Sequence, residues 1–376
     1  GSGYWLDRTV NQVKTDAGVV QASGSCVVNT SKVHIKARSL AYNNYVFDGI
    51  RGVKYSIITN ETLAEQYATT TFTQFNNNGF IISSSSNLNN NTTTYIAYQT
   101  LYTHIAWGVT SQGKFQIEAY NPVTNEGMIY YIGSGVAGHQ ISHSQGVEID
   151  WGEIKNLTTA VDWSAFRQDG YEFHLNLTDA EESNTTVVRN IGVDDITIST
   201  SNRLNTAGNE YIMYYKCKSE TFTIGTYTGT GVAGNFVETK DVNGVARRPA
   251  RIIIKAVSAV GDWIVMDTER GEDNYIKLNN SVIEAIYDAI DISISGFSIS
   301  QTTAFPNASG TQYLYLVEFD TDNTGSTGSY FDMATDTTNL QIADGLVSIS
   351  SGYDINGAIN KIISKSGTIT PTGGYV

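Results

Sequence analysis

The sequence predicts an all-β protein made of three tandem β-sandwich or jelly-roll-like repeat domains. Its 376 residues include 23 Tyr and 35 Gly but only 4 Pro, and charged residues make up 16%, below the roughly 25% of an average soluble domain. Short runs rich in Tyr, Thr, Val and Ile alternate with Gly- and Asn-rich turns, which is typical of strands joined by tight turns. The third observation is a long-period repeat.

The repeat combines an Arg, an Asn nine residues later and a Glu five residues after that Asn. Downstream of each copy, an Asn is followed six residues later by a Tyr. Successive copies of the two patterns lie 116 and 116 residues apart, and then 103 and 102. The repeated positions are Arg51, Asn60, Glu65; Arg167, Asn176, Glu181; Arg270, Asn279, Glu284; and the pairs Asn89/Tyr95, Asn205/Tyr211, Asn307/Tyr313.

A period near one hundred residues is long enough for each copy to hold its own small core. We therefore predict β-sandwich repeats at residues 1–109, 110–218 and 219–320, called below the first, second and third copies. Residues 321–376 open with a polar, Gly-rich stretch and then alternate again. They are predicted to be a linker and a C-terminal docking tail.

Within the copies, local patterns predict the individual elements. Residues 32–38 alternate apolar and basic side chains, which indicates a half-buried strand. The strand after it ends at the corner Asp48-x-x-Arg51-Gly, which returns in the third copy at residues 267–271. In the second copy Ser164 stands in place of the Asp, so we predict that this copy lacks one local contact. Residues 60–66 are interpreted as a short helical turn, and residues 282–290 as the best helix candidate.

The second and third copies each open with Phe-x-Ile-x-x-Tyr, at Phe115 and Phe222, followed by Gly-Val-Ala-Gly. The gap from Phe to Gly is 20 residues in the second copy and 9 in the third. The sequence therefore predicts an insertion near residues 122–132 of the second copy, forming a loop or an added hairpin.

Composition also bears on partners. The net charge of −14 disfavours nucleic acid and anionic membranes, because an acidic protein gains nothing from their phosphates. No apolar window is long enough for a transmembrane helix, and the first residues lack a signal-peptide profile. Cys26 and Cys217 are predicted to be buried free thiols, since no Cys or Cys/His spacing suggests zinc.

The third copy contains six characteristic strings: Phe222-Thr-Ile-Gly-Thr-Tyr-Thr-Gly-Thr-Gly, Ile252-Ile-Ile-Lys, Gly261-Asp-Trp-Ile-Val-Met-Asp-Thr-Glu-Arg-Gly, Tyr275-Ile-Lys-Leu-Asn, Gly296-Phe and Tyr313-Leu-Tyr-Leu. These strings resemble a repeat found in virion proteins of tailed bacteriophages. The resemblance covers roughly residues 30–320, is fullest in the third copy and is weak in the second. It implies a component of a phage particle, with no enzymatic activity implied.

Candidate chemistry is sparse. We predict that each repeated Arg and Glu pair as a fold-fixing bridge, with a ligand site in each copy as the alternative, and that the second Asn of each copy forms a turn. No catalytic, cofactor or metal residue is predicted. Weaker candidates are a metal site at His139 and His143, glycosidase carboxylates at Glu148/Asp150 or Asp194/Asp195, a calcium loop at Asp320–Asp322, and sugar-stacking aromatics at Tyr4, Trp5, Tyr102, Trp107, Trp151 and Trp163.

The expected function is therefore a non-enzymatic structural or adhesive component of a tailed phage particle: a tail fibre, appendage or capsid-surface protein. Its expected location is the virion surface, where it serves assembly or host attachment. Expected partners are other virion proteins, further copies of the same chain (a homotrimer is favoured) and a host surface glycan. The alternatives are a carbohydrate-binding lectin-like module, a bacterial surface adhesin, or a glycan depolymerase.

Overall fold

The computed structural model describes residues 4–15, 20–67, 71–76, 79–83, 87–182, 188–302, 305–320, 340–343 and 346–349. Every regular element there is a β-strand and the paired strands are antiparallel, so the all-β prediction is confirmed. No helix within these ranges is long and apolar enough to cross a membrane.

Both helical expectations are wrong. Residues 282–290 contain a two-residue strand, and residues 60–66 run into another. The reason is visible in the backbone: the N–H groups of Glu65 and Glu284 donate to the distant carbonyls of Leu157 and Arg38, at 3.0 and 2.8 Å. Because those donors are used across the structure, they are not available for a helical turn.

The first copy contains a small N-terminal sheet, a large sheet and a hairpin. The N-terminal sheet has the order β1-β2-β3, the large sheet β10-β4-β5-β6-β7, and the hairpin pairs β8 with β9. Their bounds are β1 Tyr4–Asp7, β2 Gln12–Thr15, β3 Val20–Gln21, β4 Gly24–Ala37, β5 Tyr45–Asp48, β6 Tyr55–Ile58, β7 Gln66–Tyr67, β8 Phe72–Asn76, β9 Gly79–Ile82 and β10 Tyr95–Val109.

The second copy has a large sheet ordered β16-β15-β14-β19-β12-β11 and a small sheet ordered β13-β18-β17. Strand β11 also pairs with β10, so the large sheets of the first and second copies form one continuous sheet of eleven strands. The bounds are β11 Phe115–Asn121, β12 Glu126–Ile132, β13 His139–Ser142, β14 Trp151–Asn156, β15 Ser164–Arg167, β16 Glu172–Phe173, β17 Val188–Ile191, β18 Asp195–Ile198 and β19 Glu210–Lys216.

The third copy repeats this plan with a large sheet β20-β28-β22-β23-β24-β25 and a small sheet β21-β27-β26. The first and last strands pair with each other, and so do the second and the second-to-last, which is the nested pairing of a jelly roll. The bounds are β20 Phe222–Thr228, β21 Asn235–Glu238, β22 Pro249–Ala256, β23 Ile264–Asp267, β24 Asn274–Lys277, β25 Ala285–Ile286, β26 Ile290–Ser293, β27 Gly296–Ile299 and β28 Gln312–Phe319.

Within the tail, two described strands, β29 Leu340–Ala343 and β30 Leu346–Ile349, pair as a hairpin. Residues 1–319 form one compact unit and residues 320–376 another. The predicted boundaries at residues 109 and 218 stay predictions.

The register corrects how the second copy begins. Tyr131 stacks on Tyr211, with ring centroids 5.1 Å apart, as Tyr227 stacks on Tyr313 at 5.2 Å. The counterpart of β20 is therefore β12, and the prediction that Phe115 aligns with Phe222 is wrong. The added hairpin is real, but the extra strand is β11. The Phe-x-Ile-x-x-Tyr pattern of β11 resembles that of β20 without being equivalent to it, because many strands with one buried face carry apolar residues at such spacings.

The central strands of each large sheet are largely buried on both faces, as in β14 and β22. One face covers a core belonging to its own copy, where alternate β4 residues Val33 and Ile35 sit. The opposite face turns toward the other copies, and there Lys36 is fully buried. The basic side of residues 32–38 therefore lies inside the protein, although a half-buried strand was predicted. A single shared core joins the inward faces; its members include Val46, Ile57, Trp151, Trp163, Leu175, Trp263, Val265, Leu278 and Leu316.

Candidate functional site

Two of the repeated Arg–Glu positions form nearly identical buried clusters. In the first copy, Arg51 Nε donates to Asp48 at 2.5 Å and Nη1 to Glu65 at 3.2 Å. In the third copy, Arg270 Nε donates to Asp267 at 2.7 Å and Nη1 to Glu284 at 2.8 Å. In both, Nη2 donates to a carbonyl of the preceding strand. Burial alone would lower the pKa of each Arg. For Arg270, Tyr98 and then Asp267 raise the pKa above its usual range, and for Arg51 the raising groups are Asp48, Tyr214 and Glu65.

The second copy keeps the ion pair but builds it from a different backbone position. Arg167 lies 2.8 Å from Glu181 and 3.0 Å from Asp169. Register places Arg167 opposite Trp151, where the other copies have Asp48 opposite Lys32 and Asp267 opposite Arg251.

The segment between this strand end and the repeated Arg is therefore about three residues shorter in the second copy than in the first and third. Arg167 stands at the strand end that holds the Asp in the other copies. The prediction that Ser164 replaces this Asp is wrong, because Ser164 begins strand β15.

Extra arginines reach two of the glutamates. Arg8, on the turn after β1, donates to Glu65 at 2.7 Å, and Arg38 donates to Glu284 at 2.7 and 2.9 Å. Within the described residues, only Arg167 forms an ion pair with Glu181. Sequence reasoning missed both additional arginines, since neither belongs to the repeat pattern.

The repeated Asn residues serve backbone geometry. Asn60, Asn176 and Asn279 each accept a backbone N–H 13 to 16 residues upstream, at 2.8 to 3.0 Å. Downstream, Asn205 and Asn307 are fully buried, and each donates Nδ2 to the carbonyl six residues before it. The associated tyrosine hydroxyls accept backbone N–H groups five residues upstream, which ties each turn to the next strand.

The copies contact one another at three places, called seams below, and the same three kinds of hydrogen bond occur at each seam. A buried lysine donates its Nζ to a backbone carbonyl across the seam. A Glu backbone N–H donates to a second carbonyl across the seam, and a Trp Nε1 or Asn Nδ2 donates to a third. The lysine bonds are Lys155 to Thr62 at 2.9 Å, Lys255 to Thr178 at 2.8 Å, and Lys36 to Ser281 at 3.0 Å. The indole and amide N–H donors reach the backbone carbonyls of a neighbouring copy: Trp163 Nε1 to Ile58, Trp263 Nε1 to His174, and Asn44 Nδ2 to Lys277.

The three seams form a closed cycle: second copy to first, third to second, and first back to third. Each seam lysine also donates to a carbonyl in its own copy, so its ammonium meets dipoles and no carboxylate within 4 Å among the described residues. Burial lowers the pKa of each to about 8. The sequence analysis did not identify these three lysines as a set. Aligning the strands of the three copies by their apolar residues would have placed Lys36, Lys155 and Lys255 at equivalent positions.

Where the three inward faces meet, a cavity of about 70 Å³ carries charged side chains from all three copies; it is called the axial cavity below. Glu318 contacts Arg251 and lies 2.9 Å from Lys216. Burial would raise the pKa of Glu318, but Arg251 and Lys216 lower it to about 2. Burial and the adjacent cations Lys32 and Arg251 lower the pKa of His34 to about 3, so this imidazole is neutral at pH 7.

The weaker sequence candidates do not assemble into a site. Within the described residues, no three His, Cys, Asp or Glu side chains are placed to hold a metal ion. His139 Nδ1 contacts Asn205 Oδ1 at 2.9 Å, while His143 Nε2 contacts the Gly192 carbonyl at 3.4 Å. Asp150 accepts the Lys218 N–H at 2.6 Å. Residues 321 and 322 of the proposed calcium loop lie outside the described residues.

The sugar-stacking candidates are largely core residues. Tyr102, Trp107, Trp151 and Trp163 are all at most 6% exposed, so their faces are not available to a glycan. The side chains of Tyr4 and Trp5 lie outside what the structure describes. Cys26 is half-buried, contrary to prediction, whereas Cys217 is buried; neither forms a disulfide.

The fold and the repeated ion pairs together define an all-β protein in which each repeated Arg pairs with the Glu of the same copy. The chain belongs to the family described as a domain of unknown function, DUF7483, which matches residues 9–320. No curated protein matches the sequence. A solved structure described as "The Triple Jelly Roll Fold and Turret Assembly in an Archaeal Virus" aligns over 84% of this chain and 87% of its own, at 9% identity and a TM-score of 0.13. A likeness that weak supports no conclusion about fold or function.

Proposed function

We propose that this chain is a non-enzymatic structural or adhesive component of a tailed phage particle, acting at the virion surface in assembly or host attachment. Its mechanism is non-covalent. Residues 1–319 form a ring of three jelly-roll-like copies around one axis; the seams hold the ring together, and its outer loops are left for contacts with virion proteins or a host glycan.

The observation that carries the proposal is the closed cycle of seams. A cycle in which the first copy returns to the third is the arrangement of a trimer, achieved here within one chain. Threefold appendages need a component whose ends match that symmetry, and a single chain of this kind meets the requirement. The sequence resemblance to phage virion repeats supplies the biological setting.

The use of the repeated polar residues supports the non-enzymatic part. All three Arg–Glu pairs, the seam lysines and the turn asparagines are bonded within the chain, so these repeated residues stabilise the ring. A ligand site in each copy would instead require side chains directed toward an open cleft.

Immunogold labelling of particles that carry this chain, with antibody raised against residues 219–320, tests the proposal. Gold at tail tips or fibres supports an attachment role, and gold over the capsid supports a capsid-surface role. Label that is restricted to cells would overturn the virion assignment and favour the surface adhesin. Antibody preabsorbed with the purified protein is the control.

Light scattering after size-exclusion chromatography tests the ring. If one chain completes the cycle, the expected mass is that of a single chain, 40.9 kDa. A mass about three times larger would instead support the homotrimer predicted from the sequence.

A further inference from the structure

The axial cavity holds a cation that the protein does not pair. Lys32, on β4, lies with its Nζ 4.1 Å from the centre of the Tyr214 ring. Among the described residues it makes no hydrogen bond and has no carboxylate within 4 Å. A ring face offsets only part of the desolvation cost of an ammonium, so the three N–H donors of Lys32 remain available.

Most of the other charged groups of the cavity pair with one another. Lys216 lies between Glu126 and Glu318, at 2.5 and 2.9 Å, while Glu318 also contacts Arg251. Glu153 accepts the indole N–H of Trp151 at 2.9 Å. Glu126 and Glu318 are therefore paired with cations, whereas Glu153 bonds a neutral indole and acts on Lys32 only through its charge. Lys32 remains without a hydrogen-bond acceptor among the described residues.

A second unused donor lies in the same cluster. The Nε–H of Arg251 is buried and has no partner, although its Nη2 contacts Glu318 and its guanidinium stacks over Tyr98 at 4.4 Å. Register places Lys32 and Arg251 at equivalent positions of the first and third copies, opposite Asp48 and Asp267. Two copies thus present spare donors at the same level of the axis.

We propose that the axial cavity binds a small oxyanion, held chiefly by Lys32 with Arg251 as a second donor. A volume of 70 Å³ holds roughly five water-sized groups, which suits a planar carboxylate such as acetate or a tetrahedral anion such as phosphate. The Arg251 Nε–H is buried without an acceptor, which is costly, and the half-buried ammonium of Lys32 has no acceptor among the described residues. An oxyanion satisfies both donors with charge-assisted hydrogen bonds. This inference does not depend on the proposed virion role.

A metal cation is the competing occupant, and the geometry disfavours it. A cation would need several free carboxylate oxygens, but Glu318 already meets Arg251 and Lys216. Among the described lining residues this leaves Glu153 alone to serve as a carboxylate ligand. It would also face the ammonium of Lys32.

The test is isothermal titration of the full-length chain with sodium phosphate and, separately, sodium acetate, at constant ionic strength set by sodium chloride. The expected result is saturable binding of at least one anion at a single site per chain. Lys32→Met should weaken that binding on the order of tenfold or more, because one charge-assisted hydrogen bond is lost. Lys54→Met is the matched control, since Lys54 is exposed and outside the cavity; it should bind as the parent chain does.

Absence of saturable binding to the unmodified chain would overturn the proposal without reference to any variant. Equal affinity in Lys32→Met and Lys54→Met, with both folded by far-ultraviolet circular dichroism, would overturn it as well. Thermal unfolding in the same anions gives a second measurement: a rise in Tm that saturates in the parent and the Lys54 variant supports the site. A rise that is linear in anion concentration and equal in all chains reflects general salt exclusion and counts against it.

Discussion

Replacing Arg270 by methionine isolates the energetic value of a buried repeat cluster. Arg270 donates Nε to Asp267, Nη1 to Glu284 and Nη2 to the Val265 carbonyl, at 2.7, 2.8 and 2.9 Å. Its side chain is 1% exposed, and that of Asp267 is 3% exposed. Methionine fills much of the same space but leaves the Asp267 carboxylate buried without its main counter-charge.

Breaking a buried pair from one side costs about 3–5 kcal/mol, because the remaining charge stays uncompensated. Two groups still bond Asp267 in the variant: the hydroxyl of Tyr98 at 2.7 Å and the Arg270 backbone N–H at 2.9 Å. Arg38 likewise still holds Glu284. We therefore expect a loss near the lower end, about 3 kcal/mol.

Arg167→Met is the internal control. Arg167 is 15% exposed and its partner Asp169 is 52% exposed, so solvent compensates the loss of that pair. Its other partner, Glu181, is only 8% exposed, but burial raises the pKa of Glu181 to about 7, so this carboxylate can take up a proton when Arg167 is removed. The expected loss is about 1 kcal/mol. Urea unfolding followed by tryptophan fluorescence compares the three chains under identical conditions.

The double variant Asp267→Asn/Arg270→Met separates the buried-charge argument from simple loss of packing. Removing the carboxylate together with the guanidinium leaves no unpaired charge, so part of the lost stability should return. The reasoning is refuted if Arg270→Met costs no more than Arg167→Met, or if the double variant is less stable than Arg270→Met alone.

Three further outcomes are expected. The folded-state pKa of His34 is about 3, below its usual 6.5, so the unfolded chain binds a proton first and the stability of the folded protein falls as the pH drops from 6.5 toward 3. His34→Gln should reduce that fall by about 2 kcal/mol between pH 6.5 and pH 5, as measured by urea unfolding. An unchanged pH profile of stability would contradict this assignment to His34. Trp263→Phe removes the indole bond to the His174 carbonyl and should cost about 1–3 kcal/mol, whereas stability within about 0.3 kcal/mol of the parent would show that this seam bond contributes little. Native titration with a thiol reagent should modify Cys26 first and Cys217 only on unfolding, since burial raises the pKa of Cys217 well above its usual range; simultaneous modification would argue against the buried position.

Much of the architecture was predictable because it depends on local periodicity. The strand predicted from the alternation in residues 32–38 and the turn predicted at Asn307 follow from the two-residue period of a strand and the backbone freedom of Asn and Gly. The predicted pairing of Arg51 with Glu65 rested on a spacing that recurs in each copy. Such short-range patterns do not depend on how the copies pack against one another.

Other features could not be predicted, because they depend on which surface meets which. The alternation in residues 32–38 predicts Lys36 on the solvent-facing side of a half-buried strand. In the structure Lys36 lies in the interior and donates to the carbonyl of Ser281, far away in the chain. The helix expected over residues 282–290 failed for the same reason, since the Glu284 N–H is used by Arg38. In the second copy, Arg167 kept its distance to Glu181 in sequence while its strand position moved, which spacing alone cannot reveal.

The sequence by itself determined the all-β class, the threefold recurrence of one residue pattern and the pairing of each repeated Arg with its Glu, because each is set by composition or by side chains near one another along the chain. Tertiary structure alone decided that the copies close into a cycle and that their basic faces turn inward. It also decided that Lys32 and Arg251 keep unused donors around one cavity. The physical reason is that burying a charged face becomes favourable only once distant carbonyls and carboxylates are positioned to bond it.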